Sequence, residues 1–221
     1  MHIFGESIAE TLRYAEGILP ALMNGFWVTL KLFVLTLALS VPLGLPLALG
    51  TICRVPLMLQ LFFFYFFLPI ACNIRLDSFP TAVITFVLNY AAYLAEIYRG
   101  GIESIDRGQY EAAQSLGLSR LRTMFGIILP QTVKRVLPPV ANEAITLVKD
   151  TALVYVIGVG ELMKASQGAV NRDANAMAYL IAAVLYLICA FLLTMVTRRI
   201  ESHFSRYEAS AESANASQQK R

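Results

Sequence analysis

The chain alternates between long apolar runs and short polar segments. Because a helix needs roughly 20 apolar residues to cross the ~30 Å hydrocarbon layer of a membrane, runs near that length predict transmembrane helices. The second run is near the lower length limit, and the fourth is interrupted by polar residues. The predicted spans are residues 26–50, 56–72, 81–98, 136–160 and 176–197. The pattern predicts an all-α integral membrane protein with five transmembrane helices.

The segments outside these runs complete the predicted organisation. Residues 1–22 lack a basic stretch followed at once by an apolar core, so we expect a retained, external N-terminal segment rather than a cleaved signal peptide. Residues 99–135 are too long for a turn and form a cytoplasmic loop. Residues 202–221, rich in Ser, Ala, Glu and Gln, are predicted to be a disordered cytoplasmic tail. The transmembrane domain is residues 23–201.

Composition supports the membrane assignment. Of 221 residues, 57% are apolar and 15% are charged, against about 25% charged in soluble domains. The mean hydropathy is +0.60. Much of the surface therefore faces a lipid bilayer. A net charge of +3 and an isoelectric point of 8.8 exclude a nucleic-acid-binding protein, which needs a dense basic stripe. Three widely spaced cysteines and two histidines predict no metal site.

The distribution of basic residues predicts the orientation. Basic side chains are enriched in cytoplasmic loops because they are hard to translocate. Twelve Lys and Arg lie at Arg54, in the loop of residues 99–135 and after Thr197, against four in the N-terminus, at Arg75 and in residues 161–175. This predicts an external N-terminus, a cytoplasmic C-terminus and an external loop at residues 161–175.

The cytoplasmic loop contains signals for two short helices. Residues 106–116 can form a helix that Gly117 ends in the left-handed conformation. Ser119 can cap a second helix over residues 119–129, which Pro130 stops. We therefore expect a helix, a glycine elbow and a second helix. From this geometry alone, insertion into a groove on a soluble partner and an ordinary interfacial hairpin are equally good interpretations.

The residues of this loop also match a known signature, E-A-A-x3-G-x9-I-x-L-P. The fixed positions are Glu111, Ala112, Ala113, Gly117, Ile127, Leu129 and Pro130. This resembles the coupling loop of the membrane subunits of ATP-binding-cassette (ABC) importers. The flanking sequences A-A-Y-L-A-E-I-Y-R-G-G-I at residues 91–102 and L-V-K-D-T at residues 147–151 resemble the polar amino acid permeases. The resemblance runs from about residue 23 to residue 201.

This resemblance implies a type I importer permease in the bacterial cytoplasmic (inner) membrane. It implies a second permease subunit, in a homodimer or a heterodimer, two cytoplasmic ATPase subunits and an extracytoplasmic amino-acid-binding protein. ATP and Mg would bind to the ATPase, since this chain has no G-x-x-x-x-G-K-S/T loop and is not expected to be an enzyme. Two features depart from the family pattern, a shortened connection at residues 50–56 and T-A-L instead of T-S-L at residues 151–153.

Polar residues in the fourth run form a stripe along one side of a helix. Asn142, Thr146 and Lys149 share a face, and Glu143 and Asp150 lie on the neighbouring stripe. Charges inside a membrane cost about 2.5 to 3.5 kcal/mol each on insertion scales, so they face a cavity, a partner or each other. We expect the stripe to face the protein interior. Pairing at the permease dimer interface and lining of the substrate pathway are the two interpretations.

A similar pattern occurs on the third span. Asn89 and Tyr93 could reach the pathway, although a hydrogen bond between helices explains them equally well. Glu96 and Arg99 are three residues apart at the cytoplasmic edge, where an ion pair anchoring the loop is expected.

Two other classes of function compete with the importer. A self-contained channel or secondary carrier for small polar solutes would need its own ion-coupling groups and no ATPase-docking loop. A membrane-bound enzyme would need a convergent catalytic group, which is not evident in the sequence. The coupling signature favours the importer.

Overall fold

The structure is a computed structural model in which the described residues form helices and turns without a strand. The shortened connection at residues 50–56 lies, apart from Pro56, outside the described residues. The backbone is described for residues 2–47, 56–73 and 75–218, and side chains for residues 10–44, 56–73 and 75–202.

Nine α-helices follow one another along the described parts of the chain. They are α1 (His2–Leu47), α2 (Leu57–Phe62), α3 (Leu68–Cys72), α4 (Ser78–Glu103), α5 (Arg107–Ser115), α6 (Arg120–Thr123), α7 (Leu129–Asp150), α8 (Leu162–Asp173) and α9 (Met177–Gln218). A π-helical turn, Phe63–Phe67, joins α2 to α3, and a second, Met124–Ile128, joins α6 to α7. A 3-10 helix, Thr151–Ile157, continues directly from α7.

The core forms where α1 packs along α4 and where α7 packs between α4 and α9. One group of buried apolar side chains joins α1, α2, α4, α7 and the 3-10 helix, and includes Leu32, Leu61, Phe86 and Leu147. A second group joins α1, α8 and α9. Helix α7 is therefore in contact with the core while one of its sides remains uncovered.

Three described helices are long and apolar enough to cross a membrane. They are Glu10–Gly44, Ser78–Glu103 and Met177–Ser202. The shorter apolar helix Leu57–Cys72 coincides with the predicted second span. Helix α7 carries five charged residues, and the fourth predicted span continues beyond its end into the 3-10 helix. The count of five spans therefore stays a prediction.

Two regions outside the predicted spans are helical. Helix α1 begins at His2, within the predicted N-terminal segment, and its Ile18 and Leu22 side chains are buried against α8 and α9 before the first predicted span. Residues 161–175 were expected to be a loop, but α8 occupies most of them. The carboxylate of Glu161 accepts hydrogen bonds from the first backbone N–H groups of α8, which starts that helix.

Two predicted helix ends also differ from the structure. Helix α9 continues to Gln218, where the sequence predicts a disordered tail from residue 202. From Met177 onward the helix meets no Gly or Pro, and Ala, Glu, Gln and Arg are good helix formers. Pro130 does not end the second helix of the loop. The preceding π turn closes with the Leu129 N–H on the Met124 carbonyl, and Pro130 then enters the first turn of α7, where it needs no N–H donor.

Candidate functional site

The first helix of the cytoplasmic loop is defined by its two ends. The Asp106 carboxylate accepts a hydrogen bond from the Gly108 N–H at 2.6 Å, which caps α5. At the other end Gly117 has φ +70°, and the Leu118 N–H donates to the Ala113 carbonyl at 3.0 Å. An added Cβ at Gly117 would meet no atom within 4 Å. The left-handed backbone, rather than crowding, is therefore what requires glycine at the elbow.

The second helix begins as the sequence predicts. The Ser119 hydroxyl accepts a hydrogen bond from the Arg122 N–H at 3.4 Å and caps α6. The helix then passes through the π turn into α7 without interruption. The predicted arrangement of helix, glycine elbow and helix is present, and its second helix extends into the one that carries the polar stripe.

The signature residues divide between an inner and an outer side of the loop. Ala113 is buried, Ile127 and Leu129 are half-buried, and Glu111 and Ala112 are exposed. Gly117 and Pro130 are also exposed. Three large apolar side chains around the elbow face outward, namely Leu116 at 78% exposure, Leu121 at 72% and Phe125 at 67%. Such a surface on a charged loop is typical of a docking site for another protein.

The polar stripe of α7 lies on the surface of the single chain. Asn142, Thr146 and Lys149 are exposed, and Glu143 is half-buried. The Thr146 hydroxyl donates to the Asn142 carbonyl at 3.0 Å. In the part of the chain that the structure describes, the charged groups of Lys149 and Glu143 have no hydrogen-bond or ion-pair partner. The expectation of an interior position is therefore not met within one subunit, because none of the residues that the structure describes covers the exposed side chains of the stripe.

Asp150 is the member of the stripe that has a partner. The Tyr90 hydroxyl donates to its Oδ2 atom at 2.7 Å, which joins α4 to the end of α7. Tyr90 is buried, and its ring lies 6.2 Å from the ring of Tyr93, which is 55% exposed. Asn89 is buried within the chain. Of the two predicted pathway residues on α4, Tyr93 alone reaches the surface.

Glu96 and Arg99 form the ion pair that their spacing predicts. The Arg99 guanidinium lies 2.6 Å from Glu96 and 3.0 Å from Glu103. All three side chains are about half exposed. Exposed pairs of this kind contribute little stability, about 0 to 1 kcal/mol each.

Sequence reasoning missed two groups. Tyr90 reads as an ordinary core aromatic, because its partner lies 60 residues away. Glu161 is fully buried, and its carboxylate accepts hydrogen bonds from the Met163 and Lys164 N–H groups at 2.7 Å and from the Tyr186 hydroxyl at 2.8 Å. Burial raises the pKa of the Glu161 carboxyl, and the three hydrogen bonds act against that rise. A signal was present in the sequence, because an acidic residue directly before a helix can cap its first N–H groups.

Comparison with known proteins identifies the class. Residues 16–206 match the family described as binding-protein-dependent transport system inner membrane component. The chain belongs to this family. The predicted identity as an ABC importer permease is thereby confirmed, and a self-contained channel or carrier is not needed to explain the chain.

Individual relatives agree with this assignment. The L-cystine transport system permease protein TcyB of Bacillus subtilis (strain 168) is 38% identical over 213 residues, which cover 88% of this chain and 91% of that protein. The glutamine transport system permease protein GlnP of Escherichia coli (strain K12) is 38% identical over 83% of this chain and 92% of its own length. The arginine transport system permease protein ArtQ of Bacillus subtilis (strain 168) is 35% identical, with the same coverage.

Solved structures show the same fold. A crystal structure of an amino acid ABC transporter with histidines has a chain that is 30% identical to this one, with a TM-score of 0.77 over 83% of this chain and 94% of that chain. A chain of the MetNI methionine ABC transporter, in an inward-facing conformation, is 19% identical and has a TM-score of 0.73 over 86% of this chain and 98% of that chain. The predicted type I importer permease fold is confirmed.

Proposed function

We propose that this permease subunit translocates polar amino acids across the bacterial cytoplasmic membrane, driven by ATP hydrolysis on partner subunits. Relatives at 35 to 38% identity are named for transport of cystine, glutamine and arginine, which supports this class of substrate. In this assembly a second permease subunit, identical or related, faces the exposed polar stripe across the transport pathway. Two cytoplasmic ATPase subunits and an extracytoplasmic amino-acid-binding protein complete the importer.

The coupling segment, residues 99–135, is the part that docks the ATPase. The observation that carries this proposal is the left-handed Gly117 between two capped helices, with Leu116, Leu121 and Phe125 exposed around it. An elbow of this kind presents an apolar, convex surface that a groove on a soluble subunit can accept. The excess of basic residues in this segment and in the tail supports its location in the cytoplasm and an external N-terminus.

The polar stripe from Asn142 to Asp150 lines the transport pathway in this proposal. An amino acid carries one carboxylate and one ammonium group, which need partners of opposite charge. The exposed Lys149 and the carboxylates of Glu143 and Asp150 offer both kinds of partner on one side of α7. Tyr93, exposed on α4, and Asn89 beneath it belong to the same side in our proposal.

The elbow can be tested with a matched pair of glycines. An added side chain meets no atom within 4 Å at either Gly117 or Gly126, but Gly117 alone of the two has positive φ. A side chain in the left-handed conformation costs about 1 to 2 kcal/mol, and more when it is β-branched. Gly117→Val should therefore abolish ATP-driven uptake of labelled amino acids in proteoliposomes that contain the ATPase and the binding protein.

Gly126→Val is the control and should keep most of the uptake. Equal uptake by both variants, at equal amounts of protein in the membrane, would contradict a coupling role for the elbow. Competition by unlabelled cystine, glutamine and arginine in the same assay tests the class of substrate. If polar amino acids do not compete, the proposed substrate class is wrong.

A further inference from the structure

Two side chains at the start of α7, which is the last part of the coupling segment, contact the earlier part of that segment at two separate places. Gln131 and Arg135 are four residues apart and therefore neighbours on the helix surface. The Gln131 Nε2 atom donates to the Gln109 Oε1 atom in α5 at 3.3 Å. The Arg135 guanidinium donates to the carbonyl oxygen of Ser104, directly after α4. The same face of α7 thus contacts both the start of the segment and its first helix.

Arg135 donates a hydrogen bond to a backbone carbonyl group at the C-terminal end of α4. The last carbonyl groups of a helix have no partner within the helix, and a cation there complements the helix dipole. Arg135 donates to the Ser104 carbonyl and, at 3.1 Å, to its hydroxyl oxygen, while that hydroxyl donates to the Gly101 carbonyl at 2.6 Å. A side chain at Gly101 would overlap Val136, so the two helices are also in close contact at this level.

The Gln131 side chain contacts the π turn as well as α5. Its amide nitrogen also donates to the Ile127 carbonyl within the turn, at 3.0 Å. One amide group has two N–H donors, which these two contacts can use. Gln131 therefore connects the first helix of the loop, the π turn and α7.

We propose that Arg135 and Gln131 form a brace that transmits ATPase movement from the coupling segment to α7 and its polar stripe. The proposal rests on the docking role proposed above for residues 99–135. Asn142 lies seven residues beyond Arg135, two helical turns along nearly the same face, so the brace and the stripe belong to one helix. Arg135 and Gln131 are positioning residues in this proposal. They touch neither ATP nor substrate.

Arg135 and Lys134 provide a matched pair for the test. Arg135 is exposed and Lys134 is half-buried, and Lys134 has no hydrogen-bond or ion-pair partner in the portion of the chain that the structure describes. Adjacent residues of a helix do not share a face, so Lys134→Gln removes the same charge without touching the brace. Arg135→Lys keeps the charge and loses the planar guanidinium, and it should restore part of the function of Arg135→Gln.

The measurement is uptake per ATP hydrolysed in proteoliposomes that contain the full importer, together with the ATPase subunit recovered on purification. Arg135→Gln should lower this ratio by about threefold or more, with the ATPase recovered at the wild-type level, because residues that couple two sites change the coupling by such factors. Lys134→Gln should leave the ratio unchanged, and Arg135→Gln combined with Gln131→Leu should lower it further.

An unchanged ratio in the double variant would overturn the brace. A parallel loss of uptake and hydrolysis with less ATPase recovered would also overturn it. That result would mean that the two side chains only stabilise the complex and do not transmit movement. Failure of the proposed function gives a different result, in which Gly117→Val leaves uptake unchanged. If Gly117→Val abolishes uptake while the Arg135 variants match wild type, the docking role stands and the brace does not.

Discussion

Two tyrosines of this protein each donate a hydrogen bond to a carboxylate, in very different surroundings. Tyr186 meets Glu161 at 2.8 Å, and Tyr90 meets Asp150 at 2.7 Å. Glu161 is fully buried and also accepts two backbone N–H groups of α8. Asp150 is half-buried, and it stands at the end of a stripe in which Asn142, Thr146 and Lys149 are exposed.

This difference separates a structural carboxylate from one that is available for function. The buried Glu161 carboxylate receives its hydrogen bonds from its own chain and needs no further partner. Through them it joins α8 to α9. A half-buried carboxylate that has one tyrosine as its partner and lies beside exposed polar groups is open to a group from outside the chain. The difference predicts that changes at Glu161 affect stability first, whereas changes at Asp150 affect transport first.

The largest expected effect is on stability, at Glu161. Glu161→Ala leaves two backbone N–H groups and the Tyr186 hydroxyl without their acceptor, and we expect a loss of about 3 kcal/mol in the free energy of unfolding. For a chain of this size that loss lowers the melting temperature by about 10 °C, measurable with purified protein in mild detergent. The exposed Glu16 is the control, and Glu16→Ala should melt as wild type. A Glu161→Ala variant that melts as wild type would show that the cap contributes nothing.

The same chemical change at both carboxylates sharpens the comparison. Asp150→Asn keeps an oxygen acceptor for Tyr90 and removes the charge, so assembly and melting temperature should be preserved. Uptake per assembled importer should fall by about tenfold, equivalent to ~1.4 kcal/mol. Glu161→Gln should show the reverse, a lower melting temperature with normal uptake by the complexes that assemble. Normal uptake by Asp150→Asn would assign the stripe to a subunit interface.

The smallest expected effects come from the two hydroxyl groups. Tyr186→Phe removes one of the three hydrogen bonds to a buried carboxylate that keeps its two backbone donors, and it should cost about 1 kcal/mol of stability. Tyr90→Phe should cost less, because Asp150 is partly exposed and water can replace the hydroxyl. Chemical denaturation of the two variants side by side checks the order. A larger loss in Tyr90→Phe would reverse our distinction between the two pairs.

Local signals predicted the coupling segment well. Asp106 and Ser119 bond to backbone groups two or three residues away, and Gly117 forms the elbow through its own backbone angles. Such short-range features can be predicted from the sequence. Pro130 was misread as a helix end because a π turn, which has no simple sequence signal, precedes it.

Contacts between distant parts of the chain could not be predicted. Tyr90 and Asp150 are 60 residues apart, and Tyr186 and Glu161 are 25 apart. Neither pair has a spacing that suggests contact, because only the packing of α4 on α7 and of α8 on α9 brings them together. Helix α8 was missed for the same reason, since its apolar face is buried by α1 and α9 and is too short to predict a span.

Helix α9 is covered very little by the rest of the chain. Within its most apolar 18-residue window, 6% of the residues are buried by protein. Side chains such as Leu187, at 68% exposure, and Phe191, at 62%, project outward, and most of their surface touches none of the residues that the structure describes. At an outward position of this kind a side chain needs only to be apolar. At a packed position its volume and shape must also fit those of its neighbours. Over evolutionary time the outer side of α9 is therefore free to exchange one apolar residue for another, and relatives can differ there without any change in what the importer does.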